Sequence, residues 1–92
     1  DEKIKIKVTE PDMYRVIFLN DNATPMDFVI EILISIFRHS NDTARDITVE
    51  VHEQGASVVG TYTFEIAEQK AVEATTMSRS HGFPLQIKVE KE

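Results

Sequence analysis

The chain has 92 residues, which is the size of one domain, and a single core of this size excludes a large internal active-site cavity. Hydrophobic residues make up 41% and charged residues 28%, which is typical of a globular protein and excludes disorder throughout the chain. The formal net charge of -6 argues against nucleic acid as a partner, because binding to phosphates depends on Lys and Arg. The absence of Cys excludes disulfides, thiolate zinc sites and cysteine nucleophiles.

The first twelve residues differ in pattern from the rest of the chain. Lysines alternate with Ile and Val over residues 3–8, which is a strand period, but the run from Thr9 to Asp12 interrupts it before a local partner can form. We therefore expect residues 1–12 to be a flexible N-terminal extension, shortened at its start, or an added edge strand. Residues 13–92 are expected to form one core domain.

A strand is predicted over residues 13–19, and both of its faces are expected to be largely covered. It ends at Asn20-Asp21-Asn22, where three side chains with oxygen acceptors stand in a row. A helix then begins, with Thr24 predicted as N-cap and Pro25 as the first helical residue. Because Thr24 already supplies the cap, the three acceptors are left for another purpose. We interpret this junction as a site for a positively charged group, and a simple connecting turn is the alternative.

The remaining elements follow from periodicity and caps. A central core helix runs from Met26 to Phe37. A second helix runs from about Asp42 to Gln54, with caps supplied by His39-Ser40-Asn41, and ends at Gly55. A strand over residues 56–62 leads to a third helix, which Thr63 caps and which ends near residue 80. A last strand alternates from Leu85. The order is β-α-α-β-α-β, an α+β domain with one layer of sheet under helices.

The sequence contains no specific signal for a metal, a cofactor or a nucleophile. The run at Asn20 lacks the glycine and the bidentate Glu of a calcium loop, and the three histidines have no metal-ligand spacing, so we predict neither a metal nor a cofactor. Without Cys or a glycine-framed Ser, there is no specific nucleophile and we predict no catalytic residue. His52 lies four residues after Thr48 and shares its helix face. An acid/base pair of Asp21 and His52 stays open as an alternative.

The combination of motifs resembles one known family. Residues 13–16, Leu19-Asn20-Asp21, Thr24-Pro25-Met26-Asp27-Phe28-Val29, Val51-His52 with Gln54-Gly55, residues 65–70 and Pro84-Leu85 match in order the ClpS adaptors. These bacterial proteins deliver substrates with certain amino-terminal residues, called N-degrons, to the ClpA unfoldase and the ClpP protease. The resemblance implies a three-stranded antiparallel sheet packed against three helices, similar to the C-terminal domain of the ribosomal stalk protein.

The resemblance also implies roles for individual residues. Asn20, Asp21 and His52 are expected to receive the free α-amino group of a substrate. The pocket for the bulky hydrophobic first side chain, Phe, Tyr, Trp, Leu or a subset of these, is expected to comprise Thr24, Met26, Val29, Ile32, Thr48, Val51 and Leu85. Glu65 and Lys70 are expected to contact the N-terminal domain of a ClpA-type unfoldase. The implied protein is a non-enzymatic, monomeric, cytoplasmic adaptor that binds no nucleic acid and no membrane.

Two departures from the family pattern stand out. Thr48 replaces a Met that many relatives carry on the second helix, and Asn22 replaces a second Asp. The first departure leaves open which first residues are accepted, and the short extension leaves open whether delivery works. The alternatives are a ClpS-like domain of a larger ubiquitin ligase, a chloroplast relative in the stroma, and a small hydrolase that uses Asp21 and His52.

Overall fold

The computed structural model describes residues 11–92 of the chain. Within this range the elements are β1 (Met13–Leu19), α1 (Met26–Ser35), α2 (Asn41–Gln54), β2 (Ala56–Thr63), α3 (Phe64–Ser80) and β3 (Gln86–Lys91). The predicted α+β class and the order β-α-α-β-α-β are confirmed for these residues. The alternation over residues 3–8, and with it most of the predicted extension 1–12, lies outside the described residues.

The sheet has β1 at its centre. The strand order is β2-β1-β3, and both outer strands run antiparallel to β1. Val16 and Phe18 are 0% exposed and face the core, whereas Ile17 and Leu19 on the other face are half-buried. No residue of β1 is exposed, which agrees with the expectation that both of its faces are largely covered, although the fully buried residues Val16 and Phe18 lie on one face only.

An irregularity in β2 ties the sheet to the connection between α1 and α2. Val16 pairs with Gly60 while Ile17 pairs with Val58, so Val59 is an extra residue in the ladder. The carbonyl of Val59 accepts a hydrogen bond from Nε2 of His39, which lies just before α2. A carbonyl cannot donate, so Nε2 of His39 carries a proton and donates it in this bond.

The helix boundaries agree with prediction at α2 and differ at α1. Ser40 accepts from the backbone N–H of Thr43 at 3.2 Å, and Gly55 ends α2 with a left-handed φ of 89°, both as expected. In contrast, α1 ends at Ser35 rather than Phe37. Arg38 adopts a φ of 61°, and the N–H of the following residue, His39, donates to Leu33 O at 3.0 Å, which closes the helix end.

The third helix approaches the sheet through small side chains. Ala67, Ala71 and Ala74 recur on one face of α3 and are all buried. Short side chains on this face allow the helix to lie close to the sheet.

Candidate functional site

A narrow cavity lies where the end of β1, the start of α1 and the second half of α2 meet. Its volume is about 20 Å³, and it is lined by Leu19, Asn20, Asp21, Thr24, Met26, Val29, Thr48, Val51, His52 and Leu85. The cavity therefore coincides with the strand-to-helix junction that the sequence marks as a cation site.

The lining changes from polar to apolar with depth. Asn20 and His52 are exposed and Asp21 is half-buried, so these polar side chains lie at the mouth. Val29, Val51 and Leu85 are buried, and Leu85 is only 1% exposed. Met26 is the exception among the apolar residues, with 41% of its surface exposed. The cavity thus joins hydrogen-bonding groups at the surface to an apolar interior, as small-molecule and peptide sites commonly do.

The carboxylate of Asp21 organises the turn between β1 and α1. Its Oδ1 accepts from the backbone N–H groups of Ala23 and Thr24, both at 2.7 Å. Its Oδ2 accepts from the hydroxyl of Thr24 at 2.9 Å. Because both oxygens already take part in the turn, Asp21 has less capacity for a ligand than an unengaged carboxylate would have.

This geometry corrects the predicted start of the helix. The N-cap position of α1 is Pro25, which makes no side-chain capping bond, and the first helical residue is Met26. Thr24 does not cap the helix, because its hydroxyl donates to Asp21 instead. The inference that three acceptors are left over was therefore wrong for Asp21. Asn20 and Asn22 are the residues of the run that stay exposed.

The same hydrogen bonds determine the charge state of Asp21. Partial burial by itself would raise the pKa of this carboxyl group. The backbone N–H groups of Thr24 and Ala23, the Thr24 hydroxyl and the positive charge of Arg79 act in the opposite direction and lower the pKa below its ordinary value of 3.8. Asp21 is therefore ionised at neutral pH, and a negative charge stands at the mouth of the cavity.

A backbone hydrogen bond brings Asn20 to the end of α2. The N–H of Asn20 donates to the carbonyl of Gly55 at 2.9 Å. Gly55 is the residue that ends α2, and His52 lies in the last turn of this helix. The left-handed glycine thus allows α2 to stop where its last turn and the start of the Asn20 loop line one cavity.

Thr48 lies deep in the cavity wall and is 2% exposed. Its hydroxyl donates to the carbonyl of Ala44, one helical turn back, at 2.8 Å. The hydroxyl proton is therefore committed to the helix, and the oxygen keeps the ability to accept. A threonine at this position gives an otherwise apolar interior one hydrogen-bond acceptor.

Nine of the ten residues predicted for amine binding and for the side-chain pocket line this cavity. Ile32 does not line it and lies within the core, where it is 0% exposed. Leu19 lines the cavity but was not predicted. It is the last residue of β1 and directly precedes Asn20, which is the signal that could have identified it. Asn22 is outside the lining.

The two residues predicted to contact an unfoldase have different surroundings. Glu65 is exposed at the start of α3 and lines a second, open cavity of about 480 Å³ together with Tyr14 and Phe64. Lys70 instead donates to the carbonyl of Ile36 at 2.8 Å, and its Nζ lies 5.4 Å from the centre of the Tyr62 ring. The structure brings Glu65 to an accessible surface and engages Lys70 in internal contacts.

Residues 11–92 contain no group of three or more His, Cys, Asp or Glu side chains placed to hold a metal ion. Within the same range, no helix combines the length and the apolar character needed to cross a membrane.

The fold and the cavity together define a small α+β binding domain, with an apolar pocket whose mouth carries an amide, a carboxylate and an imidazole. The family described as ATP-dependent Clp protease adaptor protein ClpS matches residues 9–88, and the chain belongs to this family.

Similar proteins cover most of the chain. The ATP-dependent Clp protease adapter protein ClpS of Treponema denticola is 48% identical over 88 residues, which is 96% of this chain and 87% of the relative. The protein of the same name from Campylobacter jejuni strain RM1221 is 46% identical over 86 residues, covering 94% of this chain and 90% of the relative. Among solved structures, Agrobacterium tumefaciens ClpS2 bound to L-phenylalaninamide superposes with a TM-score of 0.87 at 42% identity, covering 90% of this chain and all of that one.

Proposed function

We propose that this protein is a Clp protease adaptor that binds the free amino terminus of substrate proteins in the cavity described above. The substrate's α-ammonium lies at the mouth, against Asn20, His52 and the negative charge of Asp21. Its first side chain enters the apolar interior among Met26, Val29, Thr48, Val51 and Leu85. The observation that carries this proposal is that one cavity joins these acceptors to that interior.

The chemistry of an ammonium group explains the choice of side chains at the mouth. An ammonium has three N–H donors and no acceptor, so it is matched by an amide oxygen, a carboxylate and an imidazole nitrogen without a proton. All three types are present in the lining. Asp21 contributes mainly its charge and the position of its turn, while the exposed Asn20 and His52 are available for direct hydrogen bonds.

The expected affinity follows from the sizes of these interactions. Burial of a Phe-sized side chain of about 150–250 Å² at about 25 cal/mol/Å² contributes roughly 4–6 kcal/mol. Each charge-assisted hydrogen bond adds about 1.5–3 kcal/mol, against an association cost of at least about 4 kcal/mol. With two such bonds the balance is roughly 3–8 kcal/mol, and its upper end corresponds to a dissociation constant near the micromolar range, which suits an adaptor that must release its substrate.

Selection of the first residue follows from the narrow interior. A cavity of about 20 Å³ does not hold an aromatic ring unless a wall moves, and Met26 is the exposed, unbranched residue of the wall. We propose that the Met26 side chain rotates to admit Phe, Tyr, Trp or Leu. A β-branched first residue has an extra group beside its α-carbon and would clash with the mouth.

The ligand of a related protein supports this mode of binding. Agrobacterium tumefaciens ClpS2, 42% identical to this chain, is described as bound to L-phenylalaninamide. That compound has a free α-amino group, a phenylalanine side chain and an amidated carboxyl group, which together imitate the first residue of a polypeptide.

The later steps and the remaining properties follow from this assignment. The bound substrate is delivered to a ClpA-type unfoldase, with Glu65 and Lys70 proposed as contact residues and residues 1–12 as an N-terminal extension. We further propose a cytoplasmic monomer without catalytic activity. In the described part of the chain, the recorded hydrogen bonds of Asp21 go to Ala23 and Thr24 rather than to His52, which weighs against an acid/base pair.

The test is a binding titration with a pair of fluorescent peptides that differ only at the amino terminus. One peptide begins with Phe and a free amino group, and the other carries the same sequence with an N-acetyl group. Acetylation removes the charge and leaves the acceptors at the mouth buried and without donors. We expect micromolar binding of the free peptide and at least about a hundredfold weaker binding of the acetylated one.

Two further measurements complete the test. A panel of peptides that differ only in the first residue ranks Phe, Tyr, Trp and Leu against Ile, Val and Ala. Chromatography of the peptides after prolonged incubation detects any cleavage. Equal affinity for the free and acetylated peptides contradicts the proposal, and peptide turnover favours a hydrolase.

A further inference from the structure

Arg79, in the last turn of α3, forms hydrogen bonds that hold the segment connecting α3 to β3. Its Nη1 atom donates to two backbone carbonyls, that of Phe83 at 3.0 Å and that of Leu85 at 2.8 Å. One guanidinium nitrogen therefore holds both ends of a three-residue stretch. A charged donor makes each bond stronger than a neutral N–H would.

The segment that Arg79 holds forms part of the cavity. Leu85 lines the cavity and is 1% exposed. The next residue, Gln86, begins β3 and pairs with Leu19, another lining residue. On the other side, the ring of Phe83 packs against Phe28 of α1 at 4.8 Å between centroids. Leu85 thus lies between the packed ring of Phe83 and the pair that Gln86 forms with β1. The hydrogen bonds from Arg79 fix the positions of the Phe83 and Leu85 carbonyls.

Arg79 also acts on a second part of the cavity lining. Its positive charge is among the influences that lower the pKa of Asp21, although the hydrogen bonds from Thr24 and Ala23 are stronger influences. Asp21 in turn holds Ala23 and Thr24 through its oxygens. Arg79 therefore interacts with the two loops that line the cavity, the loop after β1 and the segment before β3.

We infer that Arg79 is a positioning residue for the first-residue pocket: by holding the carbonyls of Phe83 and Leu85, it keeps Leu85 on the cavity wall and tightens the fit of the substrate's first side chain. This inference rests on the proposed function, because the effect on affinity presumes that a first side chain enters this cavity. A cation near a helix end can also stabilise the helix alone. That purely structural role predicts a lower melting temperature without a change in the dissociation constant of the folded protein.

The test compares Arg79→Met with Arg45→Met. Both variants lose one positive charge and keep a long unbranched side chain. Arg45 is exposed on α2, bonds to Asn41 and does not line the cavity. Titrations with Phe-first and Leu-first peptides are made well below the melting temperature, with folding checked by circular dichroism. We expect Arg79→Met to weaken the binding of the Phe-first peptide by about threefold to tenfold and to reduce the difference in affinity between the two peptides. The affinities of Arg45→Met are expected to stay within about twofold of those of the wild-type protein.

A second measurement does not depend on any ligand. The methyl signals of Leu85 and the amide signal of Gln86 are compared by NMR in the peptide-free proteins, and we expect them to shift in Arg79→Met but not in Arg45→Met. If the wild-type protein binds no Phe-first peptide, the proposed function fails while the NMR comparison still tests whether Arg79 positions Leu85. If Arg79→Met does not fold, Arg79→Lys replaces it, and smaller changes of the same kind are expected because the shorter amine reaches the two carbonyls less well. Unchanged Leu85 signals, or unchanged affinity in a folded variant that binds peptide, overturn the inference.

Discussion

At the scale of single residues, the three polar groups at the cavity mouth have separate tasks. Both carboxylate oxygens of Asp21 accept hydrogen bonds within its own turn, and its negative charge acts on a ligand at the mouth without direct contact. The backbone N–H of Asn20 is bonded to Gly55 while its side chain is exposed, and the exposed His52 lies in the last turn of α2. A site built in this way presents two direct hydrogen-bonding groups on a support that a third residue holds in place.

Thr48 is expected to set the preference between Tyr and Phe as first residue. Its proton is committed to Ala44 O, so its oxygen can only accept, and a phenol hydroxyl is the matching donor. Thr48→Val removes the acceptor with little change of shape. We predict that it weakens Tyr-first peptides by about two- to tenfold while leaving Phe-first peptides nearly unchanged.

Peptide titrations at fixed salt measure this difference, and Thr76→Val, an exposed threonine on α3, serves as the matched control. An equal loss for the Tyr-first and Phe-first peptides would mean that Thr48 contributes packing rather than a hydrogen bond.

The Asp21 carboxylate is expected to make the free energy of unfolding depend on pH. Its folded-state pKa lies below 3.8, so on acidification the unfolded chain takes up this proton before the folded protein does. Its contribution is therefore fully present above the unfolded-state pKa and is lost as the pH falls through the lower folded-state pKa. We predict that Asp21→Asn is less stable than wild type at about pH 6, and that the difference shrinks toward about pH 2.5.

Urea unfolding at a series of pH values measures this effect, with Asp27→Asn as the comparison. Asp27 is an exposed carboxylate in the first turn of α1. A gap between wild type and Asp21→Asn that stays constant with pH would show that the charge of Asp21 does not stabilise the fold.

At the scale of elements, the predictable parts are those in which local signals do not compete. The alternation in β1, the Ser40 cap and the terminal Gly55 of α2 each have one reading, and each matches the structure. The start of α1 has two possible interpretations, because Thr24 could cap the helix or bond to Asp21. The second reading prevails since the Asp21 carboxylate can satisfy two backbone donors and the Thr24 hydroxyl at once.

The cavity was predictable to a similar degree. Helical spacing placed Thr48 and His52 on one face, and family resemblance supplied the remaining residues. Ile32 could not be separated from the lining by pattern alone, because core and pocket positions of α1 share the same apolar period. The role of Arg79 could not be predicted from the sequence, because its two acceptors are backbone carbonyls of a turn whose path becomes visible only in three dimensions.

The end of α1 gives a prediction at this scale. Arg38 holds a left-handed φ of 61°, which costs a residue with a side chain about 1–2 kcal/mol and costs glycine much less. No glycine marks this helix end, which explains why the sequence led to a longer α1. We predict that Arg38→Gly stabilises the protein by about 0.5–1 kcal/mol, after allowance for the greater freedom of glycine in the unfolded chain.

Thermal and urea unfolding measure the change in stability. Arg45→Gly, in the interior of α2, is the matched control and is expected to destabilise by about 1 kcal/mol. Destabilisation by Arg38→Gly would show that the arginine side chain outweighs the backbone cost.

At the scale of the whole molecule, β1 separates two surfaces. Leu19 lines the narrow cavity and Tyr14 lines the open one next to Glu65. These residues are five positions apart on one strand, a distance of about 17 Å at the usual rise per residue. A substrate bound as proposed in the narrow cavity would leave the open cavity at the other end of β1 accessible, which would let one molecule hold a substrate and a protease component at once.

This separation predicts that the two partners can be uncoupled by mutation. Phe64 is 50% exposed beside Glu65, so the open cavity combines an apolar group with a charged one, as protein interfaces do. We predict that Glu65→Lys weakens binding to a ClpA-type unfoldase on the order of tenfold and leaves the affinity for Phe-first peptides unchanged. Glu50→Lys, the same charge reversal on the exposed face of α2, is expected to leave unfoldase binding nearly intact. Surface plasmon resonance with immobilised unfoldase and peptide anisotropy measure the two affinities separately. If Glu65→Lys lowers both affinities together, the two surfaces are coupled; if it lowers neither, the unfoldase binds elsewhere on the molecule.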